Sequence, residues 1–267
     1  VSDVRVYLSV ARHSFRRYST YRVATAAGAF TNTVFGFIRA YVLIALWQSR
    51  PDIGGYDVTA AVTFCFLSQA LIAPVAMFGP ALELAERIRT GDIAIDLYRP
   101  VDLQAWWLAG DLGRASFHLL ARGVPPFVVG ALAFHLRVPG TVGGWLAVLP
   151  AVALALLVSF AIRYLLALSS FWLLDDRGVN LVAFTSASFF AGLVVPLVLF
   201  PGWLGTVAHV LPWSAILQVP ADVWLGQYHG TALLGALGFQ AAWAAGLLAL
   251  GRLLTVAARR KVVVQGG

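Results

Sequence analysis

Charge is scarce in this chain, so the residues that carry it are the ones able to do chemistry. The run RTGDIAIDLYRPVD, residues 89–102, packs Arg89, Asp92, Asp96, Arg99 and Asp102 between strongly apolar stretches. Glu83, Glu86 and Arg87 come just before it. Carboxylates and guanidiniums interleaved this way form ion pairs, cap helix ends or dock a charged partner. Further on, Asp111, Arg114 and His118 follow i, i+3, i+7 spacing on one helical face, where Arg114 can pair with Asp111. They read either as a structural polar stripe near a membrane boundary or as part of a pathway. Arg39 and Arg163 stand inside long apolar runs. A charge at that depth costs at least about 2.5–3.5 kcal/mol unless it is paired or meets water. Arg163 is about 18 Å of helix from Asp175, so it needs such a partner. Arg39 is only about 12 Å from Trp47, and either snorkels outward or belongs to a pathway.

Catalytic patterns are missing from this set. The only lysine is Lys261, so no Gly-Lys-Ser/Thr phosphate loop exists and the chain has no ATPase motif. There is no HExxH, and His13, His118, His135, His209 and His229 show no ligand spacing with Cys or carboxylates, so no metal site is expected. Asp92 and Asp111 are poor candidates for a facing intramembrane aspartate pair. The lone Cys65 excludes an intramolecular disulfide.

The elements that must position these charges are membrane helices. Of 267 residues 60% are hydrophobic and 12% charged, with a mean hydropathy of +0.81. A soluble domain carries about 25% charged residues. The composition therefore predicts an all-α integral membrane protein, a single domain over 1–267. Six spans are expected from the length needed to cross hydrocarbon: about Val23–Trp47, Ala60–Phe78, Trp106–Leu136, Trp145–Leu174, Leu181–Leu199 and Ala232–Val256. Pro125-Pro126 should kink or break the third. ARRKVVVQGG reads as a short polar tail.

Residues 4–18 predict an amphipathic helix with Val4, Leu8, Ala11 and Phe15 on one face and Arg5, Arg12 and Arg16 beside it. It lies in the membrane interface, or else packs its apolar face on the protein. The start lacks the short apolar core and cleavage site of a signal peptide. Residues 200–230 are too apolar for an ordinary loop and are cut by Pro201, Pro212 and Pro220. They predict a re-entrant helical pair at the outer face, the alternative being a folded loop with aromatic anchors.

Six spans with both termini in the cytoplasm place thirteen Lys and Arg inside, against Arg50 and Arg137 outside. The high pI near 10.1 therefore reflects topology and lipid contact, and no basic–aromatic stripe suggests nucleic acid. Residues 83–102 then face the cytoplasm. They read as a helix ended by Gly91, a turn in which Asp92 can cap the next segment, and a second element started by Pro100. Glu83 and Arg87 stand at i, i+4. Such a rigid charged element suits docking of a soluble partner, with Leu84, Ile88 and Ile93 as its apolar centre; a plain linker is the alternative.

RIRTGDIAIDLYRPVD resembles the element following the second span of ABC-2-type transporter permeases, of the form R-x-x-G-x-L/I…L-x-R-P. LPWSAILQVPADVWLG is similar to that family's re-entrant segment, and Tyr21-Arg22 fits its first-span entrance. The closest likeness is to a small branch of about 260 residues, although IDLY departs from the more apolar run of many relatives. The resemblance implies an exporter half in the cell (inner) membrane. Two cytoplasmic ATPase subunits would bind ATP and Mg, and would dock at Glu83, Glu86, Arg87, Arg89, Asp92 and Arg99. A second permease, self or homologous, would complete the pathway, and no cofactor would bind this chain. An amphipathic or lipid-like cargo suits the aromatic outer segment. An ion-coupled carrier and a membrane scaffold or sensor are the alternatives. This topology predicts that an impermeant thiol reagent labels Gly230→Cys but not Gly266→Cys in intact cells; labelling of Gly266→Cys from outside would overturn it.

Overall fold

The computed structural model describes residues 4–50, 54–77, 82–173 and 177–259, and among these every regular element is helical. Phe78, Asp175 and the tail beyond Arg259, on which some of the expectations from sequence fall, lie outside the described residues. Among the described residues four helices are long and apolar enough to cross a membrane: α2 (Arg22–Ser49), the helix Leu103–Ala133, α8 (Val142–Ser169) and α12 (Gly230–Arg259). The expected second and fifth spans contain α3 (Val58–Leu71) and α9 (Arg177–Phe190), each of 14 residues. At 1.5 Å per residue each covers about 21 Å, short of the ~30 Å hydrocarbon. Pro74 and Pro196 come after them, and the chain continues as turns.

The remaining elements are α1 (Val4–Ser19), α4 (Glu83–Thr90), α5 (Ile93–Tyr98), α10 (Gly202–Val210) and α11 (Gln218–Leu225). The helix over 103–133 consists of α6 (Leu103–His118), a π turn (Leu119–Gly123) and α7 (Val124–Ala133). It is not broken at the proline pair. Pro125 and Pro126 lack N–H groups and crowd the carbonyls one turn earlier, and the ladder accommodates them by widening to π spacing immediately before them.

At one end of the bundle Phe66 of α3 is fully buried, wedged against Gly36 of α2 and Gly130 of α7. Trp47, Tyr56 and Phe64 join the same core. At the other end Leu84, Ile93 and Leu103 pack with Phe160, Tyr164 and Leu168 of α8. Helix α12 runs along α8; Gln240 donates to the carbonyls of Ala151 and Ala215, and Thr255 bonds Tyr164 at 2.8 Å.

Helix α1 lies along α6 rather than standing alone. Phe15 meets Phe117 edge-on at 5.5 Å, and Tyr18 meets His118 at 5.3 Å. Of the predicted apolar face, Ala11 and Phe15 turn toward α6, while Val4 and Leu8 remain 67% and 64% exposed. The packed face is therefore rotated from the one expected. The contact is a backbone approach: a Cβ on Gly113 would sit 2.0 Å from the carbonyl oxygen of Ala11. Gly113→Ala should push α1 away at a cost of about 1–3 kcal/mol, and faster tryptic cleavage between Arg17 and Arg22 would report it.

Candidate functional site

The deepest charges form one node. Asp111 is buried on α6, and its two oxygens are held from both sides. Arg114 Nε donates to Oδ1 at 2.7 Å; Arg163 of α8 donates through its two terminal nitrogens at 3.1 and 2.6 Å. Arg114 also donates to the carbonyls of Ala73 and Pro74 at 2.9 and 2.7 Å. Ser159, one turn before Arg163, donates to the carbonyl of Val75. The node thus joins α6, α8 and the irregular 72–77 segment after α3. Irregular backbone inside a helical bundle leaves carbonyls without partners, and the two arginines and a serine supply them.

Arg39 is not part of this node. Its Nη1 donates to Ser68 of α3 at 2.7 Å, and Nη2 is buried without a partner. The side chain turns inward to α3 and does not snorkel outward, because α3 offers a hydroxyl one helix away.

The node opens onto a cleft of about 980 Å³. Trp107, Asp111, Arg114, His118 and Arg122 all face it from the 103–133 helix, at i, i+4, i+7, i+11 and i+15. The spacing of Asp111, Arg114 and His118 was legible in the sequence; Trp107 and Arg122 extend the same stripe and were readable from the same periodicity. A second cleft of about 560 Å³ lies between α8 and α9 and shares Ala76, Arg89 and Arg163 with the first.

The charged run forms α4 and α5 at this same end. Gly91, with φ of +84°, ends α4 in the left-handed conformation that glycine adopts without strain. Asp92 does not cap α5: its side chain accepts from Thr90 at 3.2 Å instead. Asp102, not Pro100, starts the next helix, accepting from the Ala105 amide at 2.8 Å. Glu83 does not pair with Arg87. It binds Arg17 of α1 at 2.6 and 3.2 Å, and this bonding raises the Arg17 pKa. Arg87 grips the buried Asp96, whose Oδ1 also lies 3.4 Å from Arg99. Arg99 stacks on Trp106 with 5.1 Å to the ring centre. Tertiary partners thus displaced the local pairing, because α4 folds back onto both α1 and α5.

Burial changes which residues this element can present. Leu84 and Ile93 are fully enclosed against α8, so they are not an apolar docking centre. Ile95 and Tyr98 are 60% and 85% exposed, flanked by exposed Glu86, Arg89, Asp92 and Arg99. Sequence reasoning missed Ile95 and Tyr98, although their position opposite Ile93 and Asp96 on a short helix was a usable signal.

At the far end of the bundle, α11 is tied to the turn before α3. Tyr56 donates to Asp222, Gln218 donates to both at 3.1 and 3.0 Å, and Trp224 donates to the Arg137 carbonyl at 2.8 Å. Burial pushes the Tyr56 phenol well above its ordinary pKa, so it stays a donor. Arg137 in turn binds Asp57, the N-cap of α3, at 2.6 Å. Residues 200–230 therefore hold two short helices, of which α11 is anchored by buried polar bonds.

Removing one member of a buried ion group leaves the others uncompensated, at about 3–5 kcal/mol. Asp111→Asn leaves two guanidiniums facing each other, whereas Arg163→Leu leaves Asp111 paired with Arg114. Thermal unfolding of the detergent-solubilised protein should place Asp111→Asn below Arg163→Leu, and Arg163→Leu below wild type.

Comparison with known proteins adds one finding: residues 32–266 match the family model described as ABC-2 family transporter protein. No curated protein matches the chain.

Proposed function

Because this chain belongs to the ABC-2 family of membrane transporter proteins, we propose that it is the permease half of an ATP-driven exporter. It sits in the cell membrane with both termini cytoplasmic and pairs with a second permease, itself or a homologue. Two cytoplasmic ATPase subunits bind ATP and Mg and dock on α4–α5. Six crossings are completed where turn segments extend α3 and α9, with residues 200–230 re-entrant at the outer face. The cargo is amphipathic or lipid-like.

The observation that carries this reading is the way α4 and α5 are mounted. They meet α1 through the exposed Arg17–Glu83 pair and pack on α8 through Leu84 and Ile93, while the Arg87–Asp96 pair joins the two helices to each other. Their outer faces leave Ile95 and Tyr98 exposed, with Asp92 and Arg99 exposed on the same segment. An apolar centre with a charged rim is the make-up of a protein interface. A push on this face passes to α8, and α8 carries Arg163 into the charge node. Closure of the ATPases on ATP would bias the membrane helices through this rigid path. Arg252, 3.2 Å from Asp102, links α12 to the same end.

An aspartate at Ile95 or Tyr98 places an unpaired charge at the centre of the proposed interface. Ile95→Asp and Tyr98→Asp should each reduce co-purification of the ATPase and cargo-stimulated hydrolysis by about ten-fold or more, with unchanged thermal stability of the permease alone. Arg87→Glu should instead lower that stability, since it breaks the bond to Asp96. Wild-type co-purification and coupling in both aspartate variants would refute docking on this face and favour a carrier or scaffold working without an ATPase. Arg163→Leu, outside the docking face, should impair transport while leaving ATPase association in place.

A further inference from the structure

The cleft beside the charge node carries polar groups that nothing in the fold uses. Trp107 Nε1, His118 Nδ1 and Arg122 Nε are each buried without a hydrogen-bond partner, and all three residues line this one cleft. The guanidinium of Arg122 lies flat on Gly28 of α2, and among the described residues no carboxylate pairs with it. Arg114 and Arg163 share a single carboxylate, which leaves the node itself positive. Around the whole lining, five arginines face three carboxylates. A buried donor with no acceptor costs about 1–3 kcal/mol, and Arg122, half-buried, has its Nε in that position. Unmet polar atoms and surplus positive charge along one wall call for an anion with several acceptor oxygens, and Arg122 and His118, one turn apart, can reach the same one.

The surroundings define what the anion is attached to. Trp106, Ile72 and Val10 give the same cleft apolar walls. At Ala76, Arg89 and Arg163 it meets the second cleft, which Ile162, Leu166, Leu181 and Phe184 make apolar along α8 and α9. We infer that the cleft between α1, α2 and the 103–133 helix binds the phosphate of an amphipathic phosphate ester. Arg122 is its main charge partner, His118, one turn away on the same helix, is a further contact through its Nδ1–H tautomer, and the hydrocarbon chain runs toward α8–α9. That this ester is cargo rests on the exporter reading; that it binds does not, since binding needs no ATPase.

Isothermal titration of the detergent-solubilised full chain with dioctanoyl phosphatidylglycerol tests the site, with glycerol phosphate and dioctanoylglycerol as competitors. Wild type should bind the phospholipid. Arg122→Gln should weaken binding by about ten-fold or more, the loss of one charge-assisted contact, while Arg122→Lys keeps part of it. Gly28→Ala is a second route. Its Cβ would fall 2.4 Å from the Arg122 guanidinium and force it aside with the charge unchanged, so it too should weaken binding. Dioctanoylglycerol should not compete, and glycerol phosphate should compete only weakly. Full competition by glycerol phosphate would uphold the phosphate site and overturn the chain assignment, making the ligand a water-soluble ester. Wild-type affinity in both Arg122→Gln and Gly28→Ala, or equal competition by dioctanoylglycerol, would overturn the site. Unliganded thermal midpoints equal to wild type show that a loss of binding is not a loss of fold.

Discussion

Asp111 is a carboxylate almost wholly buried at the wall of a cleft, and two guanidiniums make that placement tolerable. An isolated ion in such a site would cost several kcal/mol or more. Arg114 comes from the same helix and Arg163 from α8, so the carboxylate fixes the distance and rotation of α6 against α8. The spare donors of Arg114 then reach Ala73 and Pro74, which pins the irregular backbone after α3. One ion group therefore sets three elements at once. The helical bundle is arranged so that α1 closes one side of it and α4 closes another.

The two ends of the molecule are held by different physics. At the end bearing α1, α4 and α5, ion pairs do the joining: Arg17–Glu83, Arg87–Asp96 and Arg252–Asp102. Those pairs that are exposed contribute little energy each, but they set orientation. At the other end, neutral donors bind buried acceptors, as Tyr56 and Gln218 do for Asp222 and Trp224 does for a carbonyl, and the ion pair there, Arg137–Asp57, lies outside that buried set.

Glycine and aromatic residues set how closely the helices approach. Phe66 fills the space that two glycines leave open, and the α1–α6 contact at Gly113 is as close as backbone permits. The π turn at 119–123 displaces the backbone register of the long helix just where His118 and Arg122 face the cleft. A proline pair thus has a consequence one turn away, in the aim of polar side chains rather than in a visible break.

The sequence by itself determined the all-helical membrane class, the family and the absence of a phosphate loop, because these rest on composition and local motifs; its six expected spans overlap the four long helices described, but only the structure set those four apart. The sequence also placed Asp111, Arg114 and His118 on one face, since helical period is a local property. It did not determine partners. Glu83 chose Arg17 over Arg87, Arg163 found Asp111 across 52 positions of chain, and Arg39 turned to Ser68. The exposed apolar residues of α4 and α5 are Ile95 and Tyr98 rather than Leu84 and Ile93 for the same reason. An ion pair or a buried face depends on distance in space, and only the packing of distant helices supplies that distance. Local spacing can propose an i, i+4 pair worth a few tenths of a kcal/mol, but a partly desolvated partner from another helix outweighs it.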